Sequence, residues 1–106
     1  MSAISYNKLV RDKIPQIIEE DGKTAMVETL GSKDYKKLLD SKLEEELQEY
    51  LSSDSTEELA DLVEVIYAIL KYKGIDIETF ESIRIKKADE RGAFEKRLLL
   101  KEVLEK

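Results

Sequence analysis

Residues 39–70 read LDSKLEEELQEYLSSDSTEELADLVEVIYAIL, and the way this stretch divides decides the fold. Leu39, Leu43, Leu47, Tyr50 and Leu51 recur at spacings of three and four. That spacing predicts one apolar face on a helix from about Lys33 to Leu51, with Ser32 as its cap. Ser52, Ser53, Asp54 and Ser55 break the pattern and read as a short turn. Ser55 and Glu58 then form a Ser-x-x-Glu capping box, a start signal for a second helix. This second helix runs from about Thr56 to Tyr72 and closes at Gly74. It is apolar around most of its circumference, so burial on several sides is expected.

Outward from this pair the signals are shorter. Asp12 is placed to cap a helix that begins at Lys13, carries Pro15 in its first turn and stops near Gly22. Lys23 to Leu30 has no helical periodicity and reads as a connector. A fourth helix is expected after Asp76, running to about Arg91 and ended by Gly92. The tail from Ala93 to Lys106 carries Phe94, Leu98, Leu99, Leu100, Val103 and Leu104, which suit docking on the core or on a neighbouring subunit. The expected fold is an all-α bundle of four to five helices, a single domain over residues 1–106. Oligomerisation completes it, because 106 residues offer few helices to cover the apolar second one.

Composition narrows the chemistry. The chain has 24 acids against 18 bases, a formal net charge of −6, which argues against a nucleic-acid binder. It has no cysteine, so disulfides, thiol catalysis and cysteine zinc sites are excluded. It has no histidine, which removes the Ser-His-Asp triad and the commonest transition-metal ligand. Any metal must therefore be held by oxygen, which favours magnesium, manganese or calcium. No apolar run approaches the roughly 18–20 residues that span a bilayer, and the N-terminus does not read as a secretory signal. A soluble cytoplasmic protein is the expectation.

The acids around the turn form a constellation. Glu46 and Glu49 are three apart on the first helix, and Glu58 and Asp61 are three apart at the start of the second. The pairs Glu49 with Glu58 and Glu46 with Asp61 are mirror-placed about Ser53–Asp54. A short turn implies antiparallel helices, so mirror-placed residues lie at similar heights. On a helical wheel of about 100° per residue, Glu46 falls at the edge of the apolar face and Glu49 one step further round. Four converging carboxylates repel one another, and a divalent cation removes that cost. Magnesium keeps several waters and commonly bridges carboxylates to phosphates, so a phosphoanhydride is a natural substrate. The competing reading is a solvated acidic face, and spacing alone leaves that reading ahead. Asp61 and Glu64 weigh against it, because they interrupt an apolar stretch and a buried acid needs a partner.

Lys42-Leu43-Glu44-Glu45-Glu46-Leu47-Gln48-Glu49, followed by Glu57-Glu58-Leu59-Ala60-Asp61, resembles the Glu-Glu-x-x-Glu and Glu-x-x-Asp motifs of the all-α nucleotide pyrophosphatases. That superfamily includes MazG, dimeric dUTPases and phosphoribosyl-ATP pyrophosphohydrolase. Lys8-Leu9-Val10-Arg11-Asp12-Lys13-Ile14-Pro15 and Lys87-Ala88-Asp89-Glu90-Arg91-Gly92-Ala93-Phe94 resemble its small MazG-related branch. The resemblance implies a MazG-like bundle and hydrolysis of a nucleoside triphosphate, or a related nucleotide, to the monophosphate and pyrophosphate. It implies magnesium, with manganese as an alternative, on Glu46, Glu49, Glu58 and Asp61, in a homodimer or homotetramer. One departure stands out: the usual Arg-Gly-Gly-Phe reads Arg91-Gly92-Ala93-Phe94, which would strain the loop if the second position required a positive φ.

Candidates for cationic contact to a triphosphate are Lys8, Arg11, Lys87 and Arg91, with Lys13 and Arg97 as further ones. Salt bridging to the many acids is the alternative for Lys8 and Arg11, and favourable charge at a helix C-terminus for Lys87 and Arg91. The general base is open among Glu45, Glu49 and Glu64. Tyr50, Tyr67, Tyr72 and Phe94 are read as packing residues before base-stacking ones. Two other functions are consistent with the residues: a non-catalytic helical module that binds a nucleotide with metal, and a plain oligomerisation module with solvated acids.

Overall fold

The computed structural model describes residues 2–105. Among them every regular element is a helix: α1 (Ile14–Glu20), α2 (Ser32–Ser53), α3 (Thr56–Tyr72) and α4 (Ile77–Arg91). No helix is long and apolar enough to cross a membrane. The chain divides into two compact units, Met1–Gly74 and Ile75–Lys106.

In the first unit α2 and α3 pack on each other. Only Asp54 and Ser55 separate them, so the helices must reverse direction. The far ends agree: Ser32 Oγ donates to Tyr72 Oη at 3.2 Å, and Tyr35 meets Tyr72 edge-on at 6.0 Å between centroids. The turn is tighter than the four-residue break expected, because Ser52 and Ser53 remain helical. Asp54 takes the left-handed conformation at φ 55°, which a short polar side chain tolerates, and Ser53 Oγ accepts from the Ser55 amide.

The caps differ from expectation in instructive ways. Ser55 does cap α3, accepting from the Glu57 amide at 3.2 Å. Its amide is taken by Ser53 Oγ, so the reciprocal arm of the capping box is not needed and the Glu58 carboxyl is free for other work. Ser32 is the first helical residue rather than the cap, a position held by Gly31. Asp12 does not cap α1 either: the helix starts one residue later, after Lys13, with no side-chain capping bond and with Pro15 in its first turn.

The apolar stripe of α2 is rotated from the expected one. Leu39 and Glu46 are its buried residues, whereas Leu47 and Leu51 are exposed. At about 100° per residue, Glu46 and Tyr50 each fall within about 20° of Leu39, while Leu47 lies about 80° round. On α3 the same geometry places Glu58 within about 20° of buried Val65. A glutamate therefore stands on the contact side of each helix near the turn. On the opposite side of α3, Leu59, Val63 and Tyr67 are exposed, whereas Leu70 near the helix end is buried.

The second unit holds α4 and the residues after it. Asp76 caps α4 by accepting from the Thr79 amide at 2.8 Å. The helix ends at Gly92, whose φ of 85° favours a residue without a Cβ. Ala93 is not in the positive-φ region, so alanine there is unstrained. The stretch 93–105 is neither helix nor strand, and its apolar side chains from Phe94 to Leu104 are exposed.

Candidate metal centre

The antiparallel pairing brings the mirror-placed acids together. Carboxylate oxygens of Glu46, Glu58 and Asp61, from both helices, lie within 4.8 Å of one another. A second triple, Glu45, Glu46 and Glu49, meets the same limit along α2, so Glu46 belongs to both. Glu49 adjoins Glu58, to which it is hydrogen-bonded when Glu58 carries a proton. The four acids of the expected ligand set thus form one continuous cluster. An open depression of about 440 Å³ lies beside it, lined by Glu45, Gln48, Glu49, Ser52, Ser53 and Glu58.

Burial sets Glu46, and one oxygen of Glu58, apart from a solvated acidic face. Glu46 is only 5% exposed. Its Oε1 meets Lys42 Nζ at 3.2 Å, but its Oε2 is buried with no hydrogen-bond partner. Glu58 Oε2 is likewise buried and unpartnered. Leaving a buried carboxylate oxygen unsatisfied is costly, and a cation between the two would satisfy both. The donors are all carboxylates, which suits a hard divalent ion. Desolvation raises the pKa of the Glu58 carboxyl. The hydrogen bond with Glu49 and the negative charges of Glu49, Asp61 and Glu46 raise it further.

Bases surround the cluster. Lys8 Nζ contacts Glu45 Oε1 at 3.2 Å, and Lys42 Nζ lies 3.5 Å from Glu45 Oε2. Partial burial raises the Glu45 pKa, but the Lys8 hydrogen bond and the charges of Lys42 and Lys8 outweigh it and hold the carboxyl below its ordinary value. Arg11 Nη2 donates to Asp61 Oδ1 at 2.6 Å. Lys8 and Arg11 thus make the salt bridges to acids that were the alternative to substrate contact. Glu64 is exposed and falls in neither acidic triple. Lys87 and Arg91 belong to the second unit, four residues apart and exposed on the later turns of α4. Lys42 was not among the sequence candidates. Its spacing of three and four from Glu45 and Glu46 was the available signal.

No protein-family model matches the chain. An uncharacterized protein of Mycolicibacterium smegmatis is 42% identical over 48 residues, which make up 45% of this chain and 49% of the relative. The chain thus matches about half the length of that curated relative. No solved structure matches.

Proposed function

We propose that this protein is a magnesium-dependent nucleotide pyrophosphohydrolase, which cleaves a nucleoside triphosphate or a related nucleotide to the monophosphate and pyrophosphate. The observation that carries this reading is the pair of buried, unpartnered oxygens, Glu46 Oε2 and Glu58 Oε2, within a carboxylate group drawn from two helices. The likeness of residues 8–15, 42–49, 57–61 and 87–94 to the all-α pyrophosphatases adds the reaction class.

On this reading Glu46, Glu58 and Asp61 would hold the ion, with Glu49 beside them in the cluster. Magnesium, or manganese in its place, supplies neutralisation of phosphate charge and Lewis acidity at phosphorus when bound. Water attacks the α-phosphorus, the bond from that phosphorus to the bridging oxygen breaks, and pyrophosphate departs. Glu49 takes the proton lost by the water. It lines the open depression and makes no ion pair among the described residues. Glu45 is engaged by two lysines and Glu64 stands apart, so both suit the role less well. Lys8 and Arg11, beside the acids, supply cationic contacts to the phosphates. The same reading puts the enzyme in the cytoplasm with the nucleotide pool. It also makes the enzyme a homodimer or homotetramer, since Leu59, Val63 and Tyr67 form an uncovered apolar stripe on α3.

The test is a panel of nucleoside triphosphates and phosphoribosyl-ATP with magnesium, read as pyrophosphate release. Turnover by the native chain and its loss in Glu46→Gln, with helical content retained, is the expected result. Inertness toward the whole panel sinks the catalytic reading. Tight nucleotide binding without turnover would assign the chain to non-catalytic binders instead.

A further inference from the structure

The N-terminal segment before α1 is attached to the α2–α3 pair by charge. Residues 2–10 are neither helix nor strand, and among the described residues none of the backbone hydrogen bonds outside the helices involves them. Two ion pairs bridge the gap instead, Lys8 to Glu45 and Arg11 to Asp61, across 37 and 50 residues of sequence. Both acceptors belong to the acidic triples. Half-buried Leu9 sits between the two bases in sequence, so the strap has a small apolar anchor as well.

Asp61 faces two uses of one carboxylate. Its Oδ1 accepts from the guanidinium, and the same side chain is one of three that span the helices around the unpartnered oxygens. A divalent cation held there would stand beside Arg11 with like charge. The pair is about half exposed, with side-chain accessibilities of 55% and 40%, so it is weak enough to give way. A guanidinium released at this point keeps its forked donors beside the metal centre, where they match a phosphate.

We propose that residues 2–12 form a metal-released strap: Arg11 is the counterion of Asp61 in the metal-free protein and passes to a phosphate of the substrate when a divalent cation takes Asp61. This rests on the metal centre of the proposed pyrophosphohydrolase. The exchange couples the two ligands. Metal binding must break the Arg11–Asp61 pair, and phosphate binding then gains the released guanidinium, so metal and phosphoanhydride bind with positive cooperativity.

Calorimetry on the full chain, with magnesium chloride alone and then with inorganic pyrophosphate at saturating magnesium, tests this on native protein and on Arg11→Gln. The variant is expected to bind magnesium roughly two- to fivefold more tightly, the range set by loss of an exposed competing pair. It is expected to bind pyrophosphate roughly tenfold or more weakly, because a charge-assisted contact is gone. Magnesium should also speed tryptic cleavage after Lys8 and Arg11 in the native chain. Equal or weaker magnesium binding by the variant, unchanged pyrophosphate binding, or a cleavage rate indifferent to magnesium each overturns the strap and leaves the metal centre standing. Glu46→Gln reads the centre independently of the strap. If the native chain binds no magnesium, the metal reading falls and the strap falls with it.

Discussion

Glu46 lies two turns beyond Leu39 on the same side of α2, and these are the buried residues of that helix. A leucine and a glutamate thus share one environment, where the first fits and the second is left with an unpartnered oxygen. Their substitutions should behave oppositely. Leu39→Ala, at a site 2% exposed, should destabilise the chain by about 2–5 kcal/mol through lost burial and a residual cavity. Glu46→Leu should stabilise the metal-free chain by roughly 1 kcal/mol or more, since it removes an unsatisfied buried acceptor. Chemical denaturation reads both. Magnesium should raise the melting temperature of the native protein and leave that of Glu46→Leu unmoved. A Glu46→Leu chain less stable than the native one would show that the Lys42 contact outweighs the buried oxygen.

Acid titration should give a maximum in stability below neutrality for the metal-free protein. The folded-state pKa of Glu58 is raised, so its contribution is fully present below the ordinary value of 4.5 and is lost as pH rises through the raised value. Glu45, Asp76 and Glu81 have lowered values, so their contributions are present above the ordinary carboxylate range and are lost as pH falls through the lowered values. Lowering pH from neutral should first strengthen the fold and then weaken it. Thermal melts across that range check the shape, and Glu58→Gln should flatten the rise on the neutral side. A native profile that only declines with acid contradicts the repulsion among the acids.

Asp54→Gly should stabilise the α2–α3 hairpin by about 0.5–1 kcal/mol. The aspartate holds φ 55° after the last turn of α2, a conformation that glycine enters without a Cβ penalty. Its charge also sits at the negative end of the helix dipole. Asp54→Val should cost about 1 kcal/mol or more, because a branched Cβ resists that conformation. Urea midpoints with unchanged slopes would report both effects. Equal stability of the glycine and valine variants would remove the conformational argument.

On the proposed assembly through α3, Val63→Lys should give a monomer in light scattering where the native chain gives a dimer or tetramer. Leu59, Val63 and Tyr67, four residues apart, line the side of α3 opposite buried Val65, and a lysine in their midst would place a charge in any interface formed there. Asp34→Lys, at an exposed site in the first turn of α2, serves as the charge-changing control and should leave the assembly intact. A native chain that is monomeric at every concentration rules out assembly through this face.

The sequence by itself determined the helices and their pairing. Apolar periodicity, Ser55, Asp76 and Gly92 act within a few residues of where they stand, so α2, α3 and α4 were legible to within two residues at their ends. The short turn made reversal unavoidable, and with it the meeting of Glu46 with Asp61 and of Glu49 with Glu58. Tertiary structure decided which side of α2 faces α3. Leu47 and Leu51 drew the expected apolar face toward themselves, but burial follows Leu39, with Leu43 and Tyr50 half-buried, and this moves Glu46 from the margin to the middle. The partners of Lys8 and Arg11 were also beyond local reading. Ion pairs across 37 and 50 residues depend on where a segment without regular structure comes to rest, and no spacing rule in the sequence encodes that. Periodicity thus places carboxylates at one height, whereas only packing can bury one of them and bring an arginine to another.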